Sequence, residues 1–177
     1  MDASLERSGL VVVDVQAGTL PNARAVTPDE LVAHVREVVD AFRSAGRPVH
    51  FVVSTGTPPG DTAAGSGGRM WPEGFDVLDP RLQRHESEPL WRRAGWSAFA
   101  GTGIIDALHG VDVDTVVLVG LATTFGIESS ARAAYDAGFS VVVVTDAVSD
   151  PDAERHDGFL TRVLPALGRG MRAADLA

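Results

Sequence analysis

The sequence contains no cysteine and no lysine, so all 15 of its basic residues are arginine. These absences exclude a thiolate nucleophile, a disulfide, a cysteine metal site and a lysine Schiff base. Long apolar runs are missing as well, because none approaches the length of about 20 residues that spans a bilayer. Residues 1–7 lack the basic and apolar regions of a signal peptide. We therefore expect a cytoplasmic protein that does not enter a membrane.

Positive charge is also scarce. The chain has 24 acidic residues, a net charge of -9 and a pI of about 4.9, and its one basic cluster is the pair Arg92-Arg93. Such a surface repels phosphate backbones and anionic lipids, so we predict no nucleic-acid partner and no membrane partner.

The five histidines show no paired ligand spacing, and we predict neither a metal nor a cofactor.

Alternating strand and helix patterns define the fold class. A chain of 177 residues fits one domain, expected over residues 1–177. Alternation from end to end predicts a three-layer α/β/α fold, with a Rossmann-like parallel sheet of five or six strands and helices on both faces. The predicted strands are 9–15, 49–53, 88–93, 115–121 and 140–145, and the predicted helices are 28–45, 102–109, 125–137 and 152–164.

A loop rich in glycine and proline occupies residues 54–74, with six glycines and three prolines. A loop of this length within a compact domain usually covers a site or is disordered. Four aromatic residues are candidates for an apolar pocket, although aromatics at element ends are more often ordinary core. They are Trp71, Trp96, Phe99 and Phe125.

Polar residues stand at the carboxyl ends of the predicted strands, where doubly wound sheets bind ligands. They are Asp14, Arg93 and the pair Thr123-Thr124. An acid at the end of a valine-rich strand costs several kcal/mol to desolvate unless it is paired. Asp14 is therefore either a functional group or a helix cap or structural ion pair, and both interpretations stay open.

Several motifs in fixed order resemble those of the isochorismatase-like hydrolases, a superfamily that also contains nicotinamidases and other cysteine hydrolases. The first strand ends in an acid and a glutamine, and Arg93 stands four residues before a Ser-Ala-Phe motif. A segment resembling the nucleophile region of the family follows the fourth strand, and an Asp-Ala pair is expected after the fifth. The matching segments are 11–16, 97–102, 120–132 and 145–147.

The resemblance assigns a catalytic trio to Asp14, Arg93 and Gly126, with two changes from most of the superfamily. Arg93 replaces a lysine and Gly126 replaces the cysteine nucleophile, so thiol-based hydrolysis is excluded. True isochorismatases also have glycine at this position and are thought to hydrolyse a vinyl ether by acid catalysis, although they keep the lysine. The resemblance thus implies that Asp14 transfers a proton, that Arg93 orients it or holds an anionic group, and that substrate fills the volume beside Gly126.

The resemblance also suggests how a small-molecule substrate is held. Backbone amides near Ala122 and Gly126 are expected to bind a developing oxyanion, and a cis peptide is expected between Leu121 and Ala122. The expected substrate-binding residues are Gln16, Trp96, Ala122, Thr123 and Phe125.

The function expected from these features is an isochorismatase-like hydrolase that acts on a small molecule by non-thiol acid/base chemistry with Asp14. The alternative is an inactive family member that binds a small ligand or partner in the inherited pocket, and a third interpretation is an assembly subunit with a vestigial pocket. The resemblance implies a homodimer or larger homo-oligomer. Whether Asp14 is an acid or a base stays open, because Arg93 lowers its pKa while burial raises it.

Overall fold

The computed structural model describes residues 5–176 and contains one sheet of six parallel strands. The strand order is β3-β2-β1-β4-β5-β6. The strands are β1 (Ser8–Val13), β2 (Val49–Ser54), β3 (Leu90–Arg93), β4 (Thr115–Leu121), β5 (Ser140–Ser149) and β6 (Arg169–Met171).

Helices cover both faces of the sheet and divide the core into two clusters. Every residue of β1 and β4 is buried, as expected of valine-rich strands enclosed on both sides. One core cluster lies under α1 and the other under the remaining helices, which confirms the predicted three-layer α/β/α class. The helices are α1 (Pro28–Ser44), α2 (Ile104–His109), α3 (Glu128–Asp136), α4 (Ala153–Gly158) and α5 (Leu164–Leu167). Within residues 5–176 no helix has the length and apolarity that a membrane crossing requires.

The start of α1 follows the signal in its sequence. Thr27 caps the helix, Pro28 occupies its first position, and the side chains and backbones of Thr27 and Glu30 form a reciprocal capping box. This arrangement satisfies amide groups that have no partner within the helix. The local sequence therefore fixes the first residue of the helix.

Two predicted helices are less regular than their sequence patterns indicate. The helix expected over 125–137 begins as a wider, π-helical turn at Thr123–Ile127, and α3 follows it. The helix expected over 152–164 is split into α4 and α5 by a second π-helical turn at Phe159–Val163. Each π-helical turn spans only five residues, which is too short for side-chain periodicity to distinguish it from α-helix.

The last two strands also differ from the prediction. β5 continues four residues beyond the predicted end at residue 145, because its pairing with β4 shifts register between Leu118 and Gly120 and then resumes at Val148. The short strand β6 pairs with the middle of β5. It has only three residues, too few to show a period.

The strand order reverses between β1 and β4. From β1 the chain moves outward to β2 and β3, and from β4 it moves outward in the opposite direction to β5 and β6. A crevice opens at such a reversal beyond the carboxyl ends of the strands, which is where ligands bind in this class of sheet. Asp14, Arg93 and Ala122 immediately follow or end strands there.

Candidate active site

A cavity of about 160 Å³ lies beyond the carboxyl ends of β1, β3 and β4. Its charged residues form one pair, and four aromatic side chains supply most of its walls. The pair is Asp14 and Arg93, and the aromatic residues are Trp71, Phe75, Trp96 and Phe125. The structure thus brings together three of the four candidate aromatic residues, whereas Phe99 packs in the core below.

The charged pair is an ion pair buried at the cavity. Arg93 Nη2 donates to Asp14 Oδ2 over 2.7 Å, and only 2% of the Arg93 side chain and 10% of the Asp14 side chain are exposed. Asp14 Oδ1 and Arg93 Nε have no hydrogen-bond partner within residues 5–176. Both atoms are enclosed by the protein, so they lack partners without being accessible from the cavity.

The backbone at Asp14 departs from ordinary strand geometry. Its φ is +52°, a left-handed conformation that few non-glycine residues adopt and that aspartate tolerates better than most. The Asp14 N–H still donates to Val52 O over 2.9 Å. The chain therefore turns just as β1 ends, and the sheet holds the turn in place.

Burial dominates the ionisation of Asp14. It raises the pKa of the carboxyl from 3.8 to about 6, although the charge and hydrogen bond of Arg93 lower it in part. The effect of desolvation on the pKa therefore outweighs that of Arg93, a comparison that the sequence alone leaves open. A carboxyl with a pKa near 6 can give or take a proton close to neutral pH.

Gln16 and Thr123 occupy supporting positions, where direct contact with substrate was expected. Gln16 is fully buried and its amide bonds to the Ser54 N–H, the Ser54 carbonyl and the Phe75 carbonyl at 2.8–3.1 Å. Thr123 is also fully buried, and its hydroxyl lies 2.8 Å from Nδ1 of His156, whose pKa is lowered by burial. Both side chains stand behind the cavity wall.

We expect Gln16→Leu to lower the free energy of unfolding by about 2 to 4 kcal/mol, because buried backbone groups would lose their partners at about 1 to 3 kcal/mol each. Urea unfolding measures the change. The matched control is Asn22→Leu, which alters an exposed amide and should stay within about 0.5 kcal/mol of the parent protein. Equal stability of the two variants would show that Gln16 does not hold the wall.

Gly126 lines the cavity but leaves no side-chain volume beside it. A Cβ at this position would lie 2.5 Å from the Leu121 carbonyl oxygen and 3.0 Å from Val13 Cγ1. The expectation that substrate fills this volume is therefore wrong, since backbone already occupies it. The expected cis peptide between Leu121 and Ala122 is confirmed.

Several amides of the turn after β4 are used internally. Asp150 accepts hydrogen bonds from the N–H and the hydroxyl of Thr124 at 2.8 and 2.9 Å. The N–H groups of Phe125 and Ile127 donate to the Ala122 carbonyl. The amides of Thr124, Phe125 and Ile127 are therefore not available to a bound oxyanion, and the role of the Ala122 and Gly126 amides stays a prediction.

Asp150, rather than Asp146, occupies the carboxyl end of the fifth strand. The Asp-Ala pair expected after β5 lies within that strand, and Asp146 there bonds to Arg172 and to the Ala173 N–H. The placement of Asp146 at a strand end was wrong because the register shift lengthens β5. Asp150 is buried and was missed for the same reason.

The Ser-Ala-Phe motif is joined directly to the turn after β4. Ser130 Oγ accepts from the Ala98 N–H at 2.8 Å and donates to the Gly126 carbonyl at 2.6 Å. Trp96, just before the motif, meets Phe125 edge to face with ring centroids 5.1 Å apart. One hydroxyl and one aromatic pair thus hold two walls of the cavity together.

No three His, Asp or Glu side chains of the described chain are grouped closely enough to share a metal ion. The chemistry that this arrangement itself offers is proton transfer at Asp14 and electrostatic stabilisation by Arg93, within largely apolar walls.

The parallel sheet and the buried acid at its switch point define a three-layer α/β/α domain of the kind that supports small-molecule hydrolases. A model of the isochorismatase domain matches residues 8–175, and the chain belongs to the isochorismatase family.

Relatives support this assignment over nearly the whole chain. The isochorismatase family protein YecD of Escherichia coli O157:H7 is 32% identical over 96% of this chain and 94% of its own. An isochorismatase family protein from Burkholderia thailandensis has a solved structure with a TM-score of 0.89 and 30% identity, covering 96% and 93% of the two chains. N-carbamoylsarcosine amidase from Thermoplasma acidophilum is similar with a TM-score of 0.76 and 27% identity, covering 94% and 96%.

Proposed function

We propose that this protein is a hydrolase of the isochorismatase type that acts on a small molecule by proton transfer from Asp14. The observation that carries the proposal is the carboxyl itself. It is buried at an open cavity, one of its oxygens is held by Arg93, and the other has no partner within residues 5–176. With no cysteine in the chain, Asp14 is the residue of the family trio left to carry the reaction.

Asp14 acts as a general acid in this mechanism. The burial that raises its pKa to about 6 increases the neutral fraction of the carboxyl near neutral pH, and this form donates its proton to the substrate atom whose bond is to break. The leaving fragment departs with this proton, the oxygen of a water molecule bonds to the other fragment, and the proton that this water releases returns Asp14 to its acid form. Arg93 stays protonated throughout, so it stabilises the carboxylate that forms and does not carry the proton itself.

The pH profile of activity tests this assignment. We expect kcat/KM to fall as pH rises through about 6, because the pKa of Asp14 in the free enzyme is about 6 and the protonated form is the reactive one. The measurement uses vinyl ethers, esters and amides of small carboxylic acids, with initial rates recorded between pH 4.5 and 8.5.

Asp14→Asn should abolish this ionisation, and Asp112→Asn, which alters an exposed ion pair with Arg7, should leave it unchanged. A profile that instead rises through pH 6 would make Asp14 a general base. A flat profile in the parent protein would remove Asp14 from proton transfer.

The second candidate is an inactive protein that binds a small ligand in the same cavity. It is favoured by the lack of a side-chain nucleophile at Gly126 and by the arginine at position 93, which cannot shuttle protons. Ligand binding that raises the melting temperature, without turnover of any substrate class, would support it. The open cavity at Asp14 argues against a purely vestigial site.

We infer from the family resemblance that the protein acts in the cytoplasm as a homodimer or larger homo-oligomer on a small-molecule substrate, without nucleic acid, membrane or cofactor. Sedimentation of the purified chain measures the assembly directly.

A further inference from the structure

A second cavity of about 530 Å³ adjoins the one at Asp14. Thr57, Trp71 and Trp96 line both cavities, so the two spaces meet at these three side chains. The rest of the second lining comes mainly from the glycine-rich part of the 54–74 loop. A molecule with one end at Asp14 therefore has space for its other end under this loop.

The loop is closed by its own hydrogen bonds. The Thr57 N–H donates to the Arg69 carbonyl at 2.8 Å, and the Arg69 N–H donates back to the Thr57 hydroxyl at 3.1 Å. The Gly68 N–H donates to the Pro58 carbonyl at 2.7 Å. These contacts fix the two ends of the loop and leave the space between them for a ligand.

Arg69 is the only charged residue in the lining of this second cavity. Its guanidinium lies 6.0 Å from the ring centroid of Trp71, within the range of a cation–π contact. No ion pair within residues 5–176 involves Arg69. Its guanidinium therefore makes no direct ion pair in the described chain, and the Asp61 carboxylate of the same loop instead accepts from the Gly67 N–H at 3.1 Å.

A neighbouring depression that Trp71 also lines carries acidic residues. It is lined by Glu73 and Asp76 in addition to Arg92, and Asp76 already pairs with Arg92 at 3.2 Å. An anionic group would be repelled from that depression and attracted to Arg69. The charges around Trp71 thus favour binding of an anionic group beside Arg69.

The walls between Arg69 and Asp14 are aromatic and incompletely buried. Trp96 remains 61% exposed although it packs against Phe125. A flat apolar group placed against Trp71 and Trp96 would remove this aromatic surface from water, which is favourable in proportion to the area buried.

We propose that the second cavity is a subsite for the distal part of the substrate, which consists of an apolar, preferably aromatic, body with a terminal carboxylate bound by Arg69. The proposal rests on the proposed function in one respect, namely that the reacting end of the substrate lies at Asp14. The affinity of the subsite for carboxylates can be measured without turnover. Arg69 is thereby a specificity-determining residue of the loop.

The test compares binding of 3-phenylpropionate with that of its neutral amide, 3-phenylpropionamide, by calorimetry at low salt. In the parent protein the carboxylate should bind roughly three- to tenfold more tightly than the amide, as a charge-assisted hydrogen bond allows. Arg69→Gln should reduce this preference to near unity. Arg92→Gln, which removes an arginine from the neighbouring depression, is the matched control and should leave the preference unchanged.

The possible outcomes distinguish failure of the subsite proposal from failure of the hydrolase proposal. If the carboxylate preference survives in Arg69→Gln, the anion binds elsewhere, at Arg93, and the subsite proposal is wrong. If the parent protein shows no preference, the proposal is likewise overturned. If Asp14→Asn keeps the preference and the parent protein turns over no substrate, the subsite stands and the hydrolase assignment fails.

Discussion

Asp14→Asn is expected to lower turnover by about 10²-fold or more while changing ligand affinity only a few-fold. The asparagine has nearly the same shape as the aspartate, and its oxygen can still accept from Arg93 Nη2, but it has no proton to give. The measurement is kcat for the parent protein and the variant on the same substrate, with the ligand Kd determined separately. Unchanged turnover would remove Asp14 from the mechanism.

The same variant should also show a pH-dependent gain in stability. Because the pKa of Asp14 is raised from 3.8 to about 6 in the folded protein, its contribution to stability is complete below pH 3.8 and is lost as pH rises through 6. The full difference corresponds to about 3 kcal/mol. The difference in unfolding free energy between Asp14→Asn and the parent protein should therefore shift in favour of the variant by up to this amount between pH 4 and pH 8, on top of a pH-independent loss because Arg93 is left as a buried charge without its carboxylate.

The central part of the site was predictable from the sequence because topology places it. Asp14 and Arg93 are 79 residues apart, yet each follows or ends a strand of a parallel sheet, and the carboxyl ends of such strands lie at one edge. Their direct contact at 2.7 Å depends in addition on the turn at Asp14, whose φ of +52° has no sequence signal, because β2 separates β1 from β3. Three of the four aromatic wall residues were likewise found as bulky side chains, whereas Phe75 was missed.

The parts that the sequence did not predict depend on pairing and packing over long distances. Asp150 reaches the site only because β5 shifts register against β4 and continues to Ser149. Gln16 binds its partners rather than substrate because the loop returns Phe75 to its side chain. Neither the register shift nor the path of the loop has a local sequence signal.

The space around Gly126 is another feature that depends on contacts between residues distant in the sequence. Its place at the start of a helix is evident from the sequence, and so is its match to a cysteine in most of the superfamily. The direction in which a side chain would point depends on the Leu121 carbonyl and the Val13 side chain, which lie on neighbouring strands. The sequence therefore predicted a residue that lines the cavity but not the lack of side-chain space around it.

Any side chain at position 126 is expected to impair the protein. In Gly126→Ala the added Cβ would lie 2.5 Å from the Leu121 carbonyl oxygen, so the backbone before Ala122 must move. We expect a loss of about 1 to 3 kcal/mol in the free energy of unfolding, as in other overpacked sites, and a fall in turnover of more than about tenfold, because Ala122 and Gly126 both line the cavity. Denaturant unfolding and kcat are the measurements.

Gly158→Ala is the matched control, since this glycine ends α4 with a helical φ of -59° and nothing within 4 Å of an added Cβ. It should be neutral or stabilising by up to about 1 kcal/mol. Gly126→Cys then separates two explanations of the glycine. If the Cβ atom causes the loss of turnover, Gly126→Ala and Gly126→Cys should impair turnover equally. If alanine is active and only cysteine is inactive and rapidly alkylated, the thiol reaches the substrate volume, and the close contact with the Leu121 carbonyl does not restrict this position.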